Sequence, residues 1–380
     1  MFHLKSLWKQ CAAELQRADL TQQMAKHISD LPENTNIFFA DFNHTDSNIH
    51  RLMSSPAIMR ALKQKGIREL FIEIPYSPEL QKIADDLSSG KISRDAFLRT
   101  LATAVVFPHS YSLSELKGRC EAVADSIANA HRQGIRICFC DIDTNVNGVK
   151  EKEIMNLSTP AETKSLSTNQ VRFAKFNALC HQTINERVFA KYGNNLSQTM
   201  MNKSFEEILK MNMDIKHIES KTWDDLTRSW TEEDRVIFTK LMTNAQDSAR
   251  GDDRARANHI KSIALASREG KDNGKRHPIA VFFGGLHMMR DTPTSLTSQF
   301  DNVWVCGLFS GTKHIEKLLV SPYMPHREAI KDVQVAVLIQ EGQILSGKGL
   351  TQKLVCVADK PDAPIKQSVY PKKQIIPAPR

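Results

Sequence analysis

Two histidines and several carboxylates stand where short apolar runs end. NIFFADFNH carries Asp41 and His44, three residues apart. IRELFIEIP holds Glu73 inside an apolar run, where a carboxylate is costly unless it is paired. IRICFCDID ends in Asp141 and Asp143, and AVFFGGLH ends in His287 behind Gly284 and Gly285. A carboxylate beside a histidine fixes its tautomer and raises its basicity. The set therefore suits general acid-base work on a water molecule. His44, Glu73 and His287 are equally of the types that bind a divalent metal and let it activate water. Each residue alone has a plain structural explanation, and Asp143 could simply cap a turn. The case for a site rests on their arriving together.

Elements that bring them together are legible in the hydrophobic pattern. NIFFADF, IRELFIEIP, IRICFCDID, HPIAVFFGG and DNVWVCGLF are short, nearly continuous apolar runs. Helical segments separate most of them. SNIHRLMSSPAIMRALKQKG is broken at Pro56 and stopped by Gly66, and SLSELKGRCEAVADSIANAHRQG is closed by Gly134. That alternation predicts an α/β fold, an open and mostly parallel sheet with helices on both faces. Ligand sites of such sheets lie outside the carboxyl ends of the strands, the ends that carry Asp41, Glu73, Asp141 and His287.

Three departures frame this domain, which is expected over 31–320. Residues 1–30 form an N-terminal amphipathic helix with Leu4, Leu7, Trp8, Cys11 and Leu15 at helical spacing. About 145–250 the chain turns polar and helical, as an insertion. Residues 321–380 form a small C-terminal extension, in which VQVAVLIQEGQILSG and QKLVCVA read as a strand pair. Its last stretch, 360–380, holds five of the 15 prolines and reads as an extended tail.

Composition narrows the function classes. The net charge of +8 is spread along the chain without zinc-finger or basic-aromatic motifs, so nucleic acid is not an expected partner. Seven irregularly spaced cysteines do not describe a disulfide framework. Cys138 and Cys140 read as buried small hydrophobes. No apolar stretch reaches the length of a membrane span and no signal peptide is evident, which gives a cytoplasmic protein or one exported by another route. There is no GxSxG elbow, P-loop, GxGxxG or HExxH motif. Arg250, Arg254 and Arg256 precede the fourth strand; they form either a solvated helix face or a charge that steadies a substrate anion.

The order and spacing of these motifs resemble the erythromycin esterase/ChaN-like superfamily. That group includes erythromycin esterases, haem-binding ChaN-like lipoproteins, TraB/TIKI-type proteases and a domain of Pasteurella-type dermonecrotic toxins. Its pattern is a strand ending G-E-x-x-H, a strand ending in Glu, a helix with an Arg, and a strand ending G-x-x-H. Ala40-Asp41-Phe42-Asn43-His44 matches the first motif, with a carboxylate one methylene shorter. Glu73 matches the second, Arg254 falls in the arginine helix, and Gly284-Gly285-Leu286-His287 matches the last. HRQGIRICFCDID looks like the toxin-type members.

The resemblance implies a hydrolase in which His44 or His287 is the base for an attacking water. Asp41 and Glu73 would orient that water or help hold a divalent metal, and Arg254 would steady the developing anion. The substrate would be a small molecule or a peptide. A second reading is a binding module without catalysis, for haem or another ligand, or a bacterial effector acting on a host protein. A third is a relic site in which the shorter carboxylate marks lost catalysis.

Overall fold

The computed structural model describes residues 17–104, 112–142, 168–238, 253–266, 277–288, 293–319, 329–330, 332–347 and 350. These divide into two compact units. One covers the described parts of Met1–Phe97, Gly118–Ile142 and Asp253–Ile365, and the other those of Leu98–Lys117 and Asp143–Asp252.

The first unit is built on a 7-stranded sheet of order β3-β2-β4-β1-β5-β6-β7. Its strands are β1 (Asn36–Asp41), β2 (Glu69–Pro75), β3 (Arg136–Asp141), β4 (Ala280–Gly284), β5 (Val303–Phe309), β6 (Val335–Leu338) and β7 (Gln343–Ser346). All neighbours pair parallel except β6 with β7. The fold is thus an α/β fold with an open, mostly parallel sheet. The apolar runs read from the sequence are its buried strands: Phe38, Phe39, Ala40, Phe71, Phe139 and Phe283 are sealed from solvent.

Serine caps and prolines start the helices on cue. Ser55 and Ser77 each accept a backbone N–H at the head of a helix with proline in its first turn. The break read at Pro56 separates α1 (Ser47–Met53) from α2 (Pro56–Gln64). Further on come α3 (Pro78–Ser88), α4 (Arg94–Ala104) and α5 (Leu113–Arg132). Gly66 and Gly134 end α2 and α5 with φ of 79° and 66°, a conformation that glycine adopts without strain. The edge strand β3 is covered by a side chain of α3. Gln81 Nε2 donates to Ile137 O and Gln81 Oε1 accepts from Phe139 N, which occupies backbone groups that another strand would otherwise pair with.

The second unit contains α6 (Thr168–Tyr192), α7 (Leu196–Met201) and α8 (Phe205–Leu226), the polar helical stretch expected at 145–250. A Ser204/Glu207 capping box opens α8. Phe176, Trp223, Trp230 and Phe238 pack ring against ring, with centroids as close as 4.4 Å.

The C-terminal strands depart from expectation. β6 and β7 both fall within VQVAVLIQEGQILSG, with a turn at Gly342, and β6 extends the main sheet beside β5. They are therefore part of the α/β unit and not a separate extension: the apolar run Val335–Leu338 is buried throughout and completes the sheet. QKLVCVA, the tail 360–380 and most of the N-terminal helix positions lie outside the described residues; helix is described over 17–29, where Leu20, Met24 and Ile28 are buried. No helix among the described residues is long and apolar enough to cross a membrane.

Candidate active site

Sheet order explains why the polar strand ends converge. β1 and β2 continue toward the β3 side, whereas β4 and β5 continue toward β6. Connections diverge between the neighbours β2 and β4 and between β1 and β5, the kind of point at whose strand ends ligand sites of such sheets lie. Parallel register places Asp41 beside Gly284 at the ends of β1 and β4.

Asp41 is 2% exposed and anchors the first cluster. Its Oδ1 accepts from Asn43 N at 2.9 Å, and its Oδ2 lies 3.0 Å from His44 Nδ1. Burial alone would raise its pKa. The His44 charge and hydrogen bond, with His50 and Arg119 behind them, instead bring it down to about 2. An ionised Asp41 only accepts, so His44 carries its neutral-state proton on Nδ1 and leaves Nε2 with a lone pair. Burial pulls the His44 pKa down, but the carboxylates of Asp41 and Glu73 outweigh it, and the imidazole titrates above its ordinary value. The ring keeps 37% of its side chain exposed.

Glu73 faces that lone pair. Its Oε2 lies 3.9 Å from His44 Nε2 and accepts from Gly284 N at 2.6 Å. The 3.9 Å gap exceeds a direct hydrogen bond and matches two groups bridged by one water. Gly284 makes the approach possible: a Cβ there would stand 3.0 Å from His44 Nε2 and 3.2 Å from Glu73 Oε2. At Gly285 a Cβ would lie 2.5 Å from the Phe42 ring, which stacks on Phe309. The glycine pair thus makes room for the protein's own side chains.

The second cluster surrounds His287, in the turn Gly285–Met288 after β4. Its Nδ1 lies 2.9 Å from both oxygens of Asp253, which is 1% exposed. Asp253 also accepts from Arg256 Nη1 at 2.9 Å, and Arg256 Nε donates to Asp141 Oδ1 at 3.1 Å. Arg256 belongs to α9 (Arg254–Ala266) and lies over Phe283, whose ring meets His287 edge-on. Burial pushes the Asp141 pKa up; Arg256 pulls against it, and the neighbouring charge of Glu73 adds to the rise. Asp141 thereby feels both clusters.

The structure brings Asp41, His44 and Glu73 into one group, and joins His287 and Asp141 in another. The arginine facing this edge is Arg256, which is buried; Arg254, the first residue of the same helix, is exposed. Asp143 lies outside the described residues. The metal set His44, Glu73 and His287 is not brought together as one cluster: no group of three or more His, Cys, Asp or Glu among the described residues is arranged to hold a metal ion. Asp253, His50 and Arg119 were not in the set read from the sequence, and Arg256 was read there only as one of three candidate arginines, with Arg254 preferred. Asp253 carried one signal, an aspartate directly before a helix, but that normally means a cap. Cys138 and Cys140 are buried, and burial raises both thiols, so they are inert packing groups.

No protein-family profile, curated protein or solved structure matches the chain.

Proposed function

We propose that this protein is a hydrolase of the erythromycin esterase/ChaN-like type, acting on an ester, lactone or amide of a small molecule or peptide. The observation that carries the reading is the Asp41–His44–Glu73 geometry: a buried aspartate on Nδ1, a partly exposed imidazole, and a carboxylate 3.9 Å from Nε2. His44 Nε2 takes the proton of an attacking water that Glu73 orients, and Asp41 holds the ring and steadies the imidazolium. His287, held by Asp253, sits at the same edge and delivers a proton to the departing group. Arg256 fixes Asp253 and Asp141 and supplies the positive charge of that half. Every step uses the chain's own residues.

A panel of 4-nitrophenyl esters, lactones and peptide amides, offered to the wild type and to a folded His44→Ala/His287→Ala variant, tests this. Turnover by the wild type that disappears in the variant is expected. Wild-type protein inert across the panel, or equal turnover by the variant, contradicts it.

A further inference from the structure

His44 and Glu73 share a small pocket with Asp41, His50, Arg119 and Phe282, with room of about 20 Å³. That room is enough for a water molecule. His50, on α1, is 6% exposed and packs its ring edge against Phe282. It hydrogen-bonds the backbone of His44, while its Nε2 is buried with no hydrogen-bond partner in the protein. The bond to the chain is therefore made by Nδ1 and points that proton away from Asp41. Nε2 then turns a lone pair toward Asp41 Oδ2, 3.6 Å away. Two acceptors at that distance need a donor between them.

We propose that this pocket binds one water molecule, which donates one O–H to Asp41 Oδ2 and the other to His50 Nε2. His50 is then a positioning residue: through the water it holds the carboxylate that holds His44. Burial and the Arg119 charge draw the His50 pKa down to about 3, so the ring stays neutral where His44 titrates. The charged groups facing the pair are Asp41 from β1, Glu73 from β2 and Arg119 from α5. The water site is carried by the unpaired Nε2, its 3.6 Å distance from Asp41 and the pocket beside them; its influence on turnover rests on the hydrolase reading.

The test is a crystal structure of the whole chain at better than about 2 Å resolution, with histidine 15N spectra of the same protein. A single water peak within hydrogen-bond reach of both atoms, and a neutral Nδ1–H tautomer at His50, are the expected results. A direct bond between His50 Nε2 and Asp41, or an Nε2–H tautomer, overturns the proposal. Replacing His50 with Phe removes one anchor of the water and takes a donor from Asp41. The His44 pKa should then rise by about half a unit or more, while His50→Gln, whose amide reaches the same space, keeps the wild-type titration. An unchanged His44 titration in folded His50→Phe shows that His50 only fills space. All these readouts are independent of turnover, so they separate this proposal from the hydrolase reading.

Discussion

The two Asp–His pairs at the strand edge are built from the same contact and serve different ends. In the first, Asp41 and His44 are three residues apart on one strand end, and the ring stays 37% exposed. In the second, Asp253 and His287 come from segments 34 residues apart, and both are buried. Asp253 there also holds Arg256, which in turn holds Asp141. A partly exposed ring whose Nε2 lies 3.9 Å from Glu73 can meet a substrate and a water. A buried ring inside a charge-balanced network is fixed in place, and its loss is felt by the fold as well as by the chemistry. The difference teaches that a repeated dyad is not a repeated function: exposure and the number of shared partners decide it.

The sharpest way to break this comparison is to remove the shared partner of the buried pair. Asp253→Asn strips one of the two carboxylates from Arg256, which keeps Asp141, and the charged partner from His287, and breaking such buried pairs costs about 3–5 kcal/mol. Urea unfolding should show that loss, with activity lost too. Arg254→Ala, on the exposed side of the same helix, should stay within about 0.5 kcal/mol of wild type.

At the exposed pair the change should fall on rate and leave stability nearly intact. His44→Gln removes the proposed base and should lower kcat by about 10²–10⁴, with little change in the urea midpoint. Gly284→Ala presses a methyl against His44 and Glu73. A shift of the ring by a few tenths of an ångström should lower kcat less than His44→Gln does, by about tenfold, and steady-state kinetics would rank the two.

A smaller effect is a pH dependence of stability. The His50 pKa is depressed to about 3 in the folded protein, against about 6.5 unfolded. Stability from that group is complete above the unfolded value and is lost as pH falls through the folded one. Asp41, at about 2, adds a loss at lower pH, from its unfolded value near 4 downward. The raised groups His44 and Asp141 work in the opposite sense, so the expected outcome is a difference: the stability that His50→Phe gains relative to the wild type should grow as pH falls from 7 to 4, read from urea midpoints of both.

Local signals carried the first pair and not the second. Strand runs ending in polar residues, serine caps and helix-ending glycines are written in short stretches, and they gave the sheet and placed Asp41, His44 and Glu73. Asp253 and Arg256 depend on where α9 rotates against the sheet, which spacing alone cannot fix: Arg254 and Arg256 differ by two residues and point to different environments. The role of β6 escaped for a similar reason, since its short buried run shows nothing of which strand it pairs with.

The most direct test of His44 as a base held by Asp41 is the pH profile of kcat/KM from pH 5 to 9 for the wild type and Asp41→Asn, on the best substrate of the ester panel. With Asp41 present, the acid limb should lie above the ordinary imidazole value, because the carboxylates raise the His44 pKa. In Asp41→Asn the limb should move to lower pH and the plateau should fall by about 10³–10⁴, as expected when an orienting carboxylate is neutralised. Coincident limbs and equal plateaus would contradict the account.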